Sequence, residues 1–119
     1  MSLKLFDSEL KVMEVLWREG TLTAGQIAGI LKEETGWNRN TTYTVIKKCI
    51  EKGAVERTEP KFVCKAAVSK EEIQAYETEE LIERMFDGSR QKFFAAFLSE
   101  NTLTDDELAQ LKELIDNME

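Results

Sequence analysis

The hydrophobic period of this 119-residue chain changes in the middle and then changes back. Apolar residues recur at three and four up to Lys52, read as short strands from Ala54 to Val68, and return to helical spacing from Ser69 onward. A chain patterned this way is mainly α, with one small hairpin set between two groups of helices.

The punctuation supports this division. The first helix is expected from Asp7/Ser8 to Glu19, with Leu10, Met13, Leu16 and Trp17 on one face and Gly20 as a left-handed cap. In the second helix Thr23 and Gln26 have capping-box spacing, and Leu22 and Ile27 have staple spacing; Gly36 ends it. The third helix has Asn38 as N-cap, runs to Lys52 and stops at Gly53. Strands are expected at Ala54–Thr58 and Phe62–Val68, joined by the turn Glu59-Pro60-Lys61. Three helices followed by a hairpin make the order of a winged helix-turn-helix, assigned to residues 1–68.

Residues 69–119 read as three further helices, about Lys70–Phe86, Arg90–Glu100 and Asp105–Asn117, broken at Asp87-Gly88-Ser89. Ser69/Glu72 and Thr104/Glu107 repeat the capping box. This half carries more large apolar side chains than three such helices can enclose alone, including Tyr76, Ile82, Phe86, Phe93, Phe94, Phe97, Leu111, Leu114 and Ile115. Burying them against a second copy is the expected solution, which makes residues 69–119 a helical dimerisation domain.

The net charge of −7 argues at first against a nucleic-acid partner, but it averages two unlike halves. Residues 1–68 have 11 basic and 9 acidic side chains; residues 69–119 have 5 and 14. Within residues 38–68 there are seven cations against three acids, the local footprint of a nucleic-acid contact. Histidine is absent, which excludes Ser-His-Asp and Cys-His nucleophiles and imidazole zinc sites. Cys49 and Cys64 sit in apolar stretches without a C-x-x-C pair, so neither metal nor redox chemistry is expected, and no cofactor or small-molecule ligand is evident. No apolar run nears the ~18–20 residues of a membrane span, and no signal-peptide pattern is present. A cytoplasmic, non-enzymatic protein is expected.

The third helix has two faces. Thr42, Val45, Ile46 and Cys49 should face the core, leaving Asn40, Thr41, Thr44, Lys47 and Lys48 outward. The N-terminal part of the second helix of a helix-turn-helix approaches base edges in the major groove. Asn can pair with adenine, a Thr methyl can pack on thymine, and Lys or Arg neutralises phosphate. The first turn holds Arg39, Asn40 and Thr41 where the later helices place acids, which leaves its amides open to an anion. The hairpin from Arg57 to Lys61 is a short wing suited to backbone contact.

These residues carry a family resemblance. Glu9-x-x-x-Met13-x-x-x-Trp17, Leu22-Thr23 with Ile27, Trp37-x-x-x-Thr41-x-x-Thr44-x-Ile46 with Lys52-Gly53, and Tyr76 with Phe86-Asp87-Gly88 and Phe97 follow in order. The chain resembles the penicillinase-repressor (BlaI/MecI/CopY) family over nearly its whole length. The resemblance implies a homodimeric winged-helix repressor that binds a dyad-symmetric operator. It places Asn38, Asn40, Thr41, Thr44 and Lys48 on the DNA-contacting helix and Lys61 near the wing. Ala96-Phe97 stands where the β-lactam repressors have a cleavable Asn-Phe pair, so that cleavage is not expected here. The C-terminal C-x-C pairs of the copper branch are absent, and Phe62, Cys64 and Ala66 replace the usual strand tyrosines.

The leading expectation is therefore a homodimeric transcriptional repressor gripping a double-stranded DNA operator through Asn38, Arg39, Asn40, Thr41, Thr44, Lys47, Lys48 and Lys61. The alternative is a winged-helix module that binds protein without specific DNA binding. Asp105-Asp106-Glu107 as a carboxylate metal site is explained better by its place in a capping turn.

Overall fold

The computed structural model describes residues 4–100 and 103–118. The elements run α1 (Asp7–Glu19), β1 (Leu22–Thr23), α2 (Ala24–Thr35), α3 (Arg39–Glu51), β2 (Val55–Thr58), β3 (Val63–Ala66), α4 (Lys70–Phe86), α5 (Arg90–Glu100) and α6 (Asp105–Asp116). The fold is mainly α: a winged helix-turn-helix followed by three helices. The sheet has three strands where two were expected. β1 pairs antiparallel with β3 through Leu22↔Cys64 and Thr23↔Val63, so β3 lies between β1 and β2. The hairpin register runs from Val55↔Ala66 to Thr58↔Val63.

Local chemistry starts the helices where the sequence indicates. Thr23 accepts from the Gln26 amide at 3.1 Å while the Gln26 side chain accepts from the Thr23 amide at 2.9 Å. The same reciprocal pair forms at Ser69/Glu72 and Thr104/Glu107. Each satisfies amides that a helix start leaves open. Gly36 takes the left-handed cap, but Gly20, at φ 87 and ψ −162, leaves that region although its amide still reaches Leu16.

Contacts divide the chain into two compact units, Met1–Thr78 and Glu79–Glu119. The division falls inside α4, beyond the end of the hairpin, because Ile73 belongs to the core of the first unit. That core centres on Met13, Ile27, Leu31, Ile46 and Cys49, each fully buried. On α1, Val12 and Val15 are buried beside Met13 and Leu16, while Leu10 and Trp17 are half-buried at its edge. The Trp17 indole N–H donates to Val68 O at 2.9 Å, tying the exit of the hairpin to α1.

In the second unit Asp87 and Gly88, at φ 51 and 79, turn the chain, and Ser89 caps α5 through the Lys92 amide. The Phe93 ring lies 5.6 Å from Phe86, 5.3 Å from Phe94 and 6.4 Å from Phe97. Ile82 is buried, whereas α6 buries none of its residues.

Candidate nucleic-acid interface

The amphipathic pattern of α3 decides which side chains are available. Thr42, Val45, Ile46 and Cys49 are buried, which fixes the helix by its inner face. Asn38, Arg39, Asn40, Thr41, Thr44, Lys47 and Lys48 are all exposed, and Lys61 is exposed in the turn of the hairpin. The first unit thus brings all eight sequence-assigned residues onto α3, its cap or the wing.

Their commitments differ. Asn38 Oδ1 accepts from the Thr41 amide at 2.8 Å, so this oxygen caps the helix. The Thr44 hydroxyl donates to Asn40 O at 2.9 Å, which occupies the hydroxyl hydrogen and leaves the methyl exposed. Arg39 Nη2 donates to the Tyr43 hydroxyl at 2.7 Å. Lys48 lies in the last turn, where a cation also suits the helix dipole.

An arrangement that the sequence reading did not assign joins this helix to the wing. The Tyr43 and Phe62 rings meet edge-to-face, 5.6 Å apart at 87°. The Arg57 guanidinium lies 3.5 Å from the centre of the Phe62 ring, and that of Arg39 lies 4.8 Å from the centre of Tyr43. Arg57 also pairs with Glu59 across the turn. Phe62 has φ 52, in the left-handed region, and its carbonyl accepts from the Ala24 amide at 2.9 Å. Arg39 and Tyr43 are neighbours one turn apart on α3, and Arg57 and Phe62 face each other across the hairpin turn, but the Tyr43–Phe62 and Ala24–Phe62 contacts join residues distant in sequence, for which periodicity carries no signal.

Cys49 and Cys64 are buried free thiols. Burial, reinforced by the Glu9 charge, pushes the Cys49 thiol from 9.0 up to about 12. Burial raises Cys64 as well. Neither is an activated nucleophile, which would need a lowered value. Among the described residues no group of three His, Cys, Asp or Glu side chains could hold a metal ion.

The nine apolar residues assigned to dimerisation have distinct surroundings in the single chain. Ile82 is buried; Tyr76, Phe86, Phe93 and Leu111 are half-buried. Phe94, Phe97, Leu114 and Ile115 are 52%, 44%, 65% and 59% exposed. A groove of about 340 Å³ runs between Leu81, Met85, Phe86, Phe93, Ala96 and Phe97.

A basic helix held by its apolar face, with a cationic hairpin beside it, defines a winged helix-turn-helix protein. A family model described as the penicillinase repressor matches residues 5–117, and the chain belongs to that family. The family is one of transcriptional repressors and not of enzymes. The chain is 21% identical over 115 residues to the penicillinase repressor of Bacillus licheniformis, covering 95% of this chain and 90% of the relative. It is similar to the solution structure of the DNA binding domain of the repressor BlaI, with 25% identity and a TM-score of 0.53 over 56% of this chain and 84% of that one. The Bacillus licheniformis BlaI monomeric form in complex with the blaP half-operator matches over the same shares, with 25% identity and a TM-score of 0.51. Among the described residues no helix is long and apolar enough to cross a membrane.

Proposed function

We propose that this protein is a homodimeric transcriptional repressor acting in the cytoplasm, and that each subunit places α3 in the major groove of one half of a dyad-symmetric operator. The carrying observation is the outer face of α3, where Asn40, Thr41, Thr44, Lys47 and Lys48 are exposed together above a fully packed inner face. Asn40 and the Thr methyls suit base edges, and the lysines suit phosphates. Asn38 orders the first turn, and Lys61 brings the wing to the backbone. Residues 69–119 supply the dimer contact, with Phe94, Phe97, Leu114 and Ile115 as the exposed apolar surface that a second copy covers. Two subunits related by a dyad reach half-sites about one helical turn apart, roughly 34–36 Å.

The test compares Thr44→Ala with Lys48→Ala on a duplex that the wild-type chain selects from a random-sequence pool. Loss of the Lys48 phosphate contact lowers the logarithmic salt slope by about 1 and weakens all sequences alike. Loss of the Thr44 methyl relaxes specificity at one position, by on the order of 1–3 kcal/mol. Equal, salt-insensitive effects refute the assignment. Failure to select any duplex at micromolar protein favours a protein-binding module instead.

A further inference from the structure

Phe62 stands in a backbone conformation that bulky residues rarely adopt, at φ 52. A glycine would adopt it without strain. The ring is therefore to be understood by what it touches, and it touches two things: the edge-to-face ring of Tyr43 on α3 and the guanidinium of Arg57 on β2. Its carbonyl is held by the first amide of α2. A strained residue fixed from several sides at once marks a place where geometry has been set for a purpose.

The four side chains form one line, Arg39–Tyr43–Phe62–Arg57, with a cation at each end and two rings between them. Both arginines lie on the exposed side of elements assigned to DNA contact. An exposed arginine loses rotamer freedom when it grips a phosphate. Seating its guanidinium on a fixed ring removes much of that loss beforehand, and the planar group retains donors for an oxyanion at its edges.

We propose that Phe62, braced by Tyr43, is a positioning residue that holds Arg57 as a backbone-phosphate contact. This rests on the DNA-binding reading above. Arg57 pairs with Glu59 in the free protein, and phosphate would displace this exposed partner.

The experiment measures the salt dependence of binding by the full chain to the duplex selected by the wild type. Arg57→Ala should lower the slope by about 0.9, the value for one lost phosphate. Phe62→Leu, which keeps an apolar side chain but has no π face, should lower it by the same amount and weaken binding about fivefold. Phe62→Tyr should restore the wild-type slope. The double variant Arg57→Ala/Phe62→Leu should bind no worse than Arg57→Ala alone. A wild-type slope in Phe62→Leu, or losses that simply add, overturns the proposal while leaving the repressor reading intact. If Phe62→Leu fails to fold, Arg57→Ala decides the phosphate contact and Phe62→Tyr the ring; a wild-type slope in the first or a lowered slope in the second overturns the proposal. If the wild type selects no duplex, the repressor reading falls and this proposal falls with it.

Discussion

Lys52 Nζ lies 2.6 Å from Oε1 of Glu9, whose side chain is 1% exposed. The same ammonium donates to Lys4 O at 3.0 Å and sits over the Phe6 ring at 4.1 Å. Glu9 also accepts from the Phe6 amide at 2.8 Å, while its second oxygen, Oε2, is buried with no hydrogen-bond partner among the described residues. Lys52 follows the last residue of α3, so the pair fixes the end of that helix to the start of α1.

Removing the cation should therefore be costly. Lys52→Met leaves a buried carboxylate uncompensated and should destabilise the fold by about 3 kcal/mol. The double variant Glu9→Gln/Lys52→Met should recover a substantial part of that loss, because no buried charge remains. Urea denaturation of the three proteins checks both statements. A single variant within 0.5 kcal/mol of wild type, on the order of a surface substitution, would contradict the first.

The proposed assembly surface gives a second prediction. Phe94 and Leu114 are 52% and 65% exposed in the single chain, so a charge there meets water in a monomer and an apolar face in a dimer. Phe94→Glu and Leu114→Glu should each shift the full chain from dimer to monomer in light scattering at micromolar concentration. Thermal unfolding of the first unit should stay near wild type. Dimers of undiminished stability in both variants would place the interface elsewhere. A shortened chain for the same purpose should end after Thr78, since ending at Val68 removes Ile73 from the core.

Much of the architecture was legible because local chemistry sets it. The capping pairs at Thr23, Ser69 and Thr104 and the cap at Asn38 are decided within four residues, and the sequence displays both partners. The inner face of α3 followed from its 3.6-residue period. β1 was not legible: two residues carry no period, and their pairing with Val63 and Cys64 depends on the tertiary fold. Glu9 was equally hidden, since a carboxylate on an apolar face becomes buried only when Lys52 arrives from 43 residues away. The Tyr43–Phe62 contact has the same cause. What was readable at the candidate interface was residue type and outward face; which side chains brace one another was not.

Cys49 predicts the alkaline limit of stability. Its thiol is raised from 9.0 to about 12 by burial first and by the Glu9 charge second. Between these values the unfolded chain has lost the proton that the folded chain keeps. Its contribution is thus fully present below pH 9 and is lost as the pH rises toward 12. Denaturant midpoints across this window should fall with pH in the wild type and fall less steeply in Cys49→Ala. Parallel slopes would show that Cys49 is not the group responsible. In the native protein at pH 8, iodoacetamide should leave Cys49 unmodified until the chain is unfolded.

Glu59 offers a gain-of-binding test of the wing. It is 56% exposed and pairs with Arg57, itself 39% exposed, so the pair contributes only about 0.2–1 kcal/mol to the free protein. On DNA the balance reverses: the carboxylate competes for the guanidinium and repels the phosphate that would replace it. Glu59→Gln should leave folding stability nearly unchanged and raise operator affinity up to about fivefold, roughly the whole energy of such a pair. The gain should be largest at low salt, where phosphate repulsion is least screened. Fluorescence anisotropy at two salt concentrations reads it directly. Unchanged affinity at low salt would mean that Arg57 does not face the backbone, whereas a gain abolished by Arg57→Ala would identify Arg57 as the residue released.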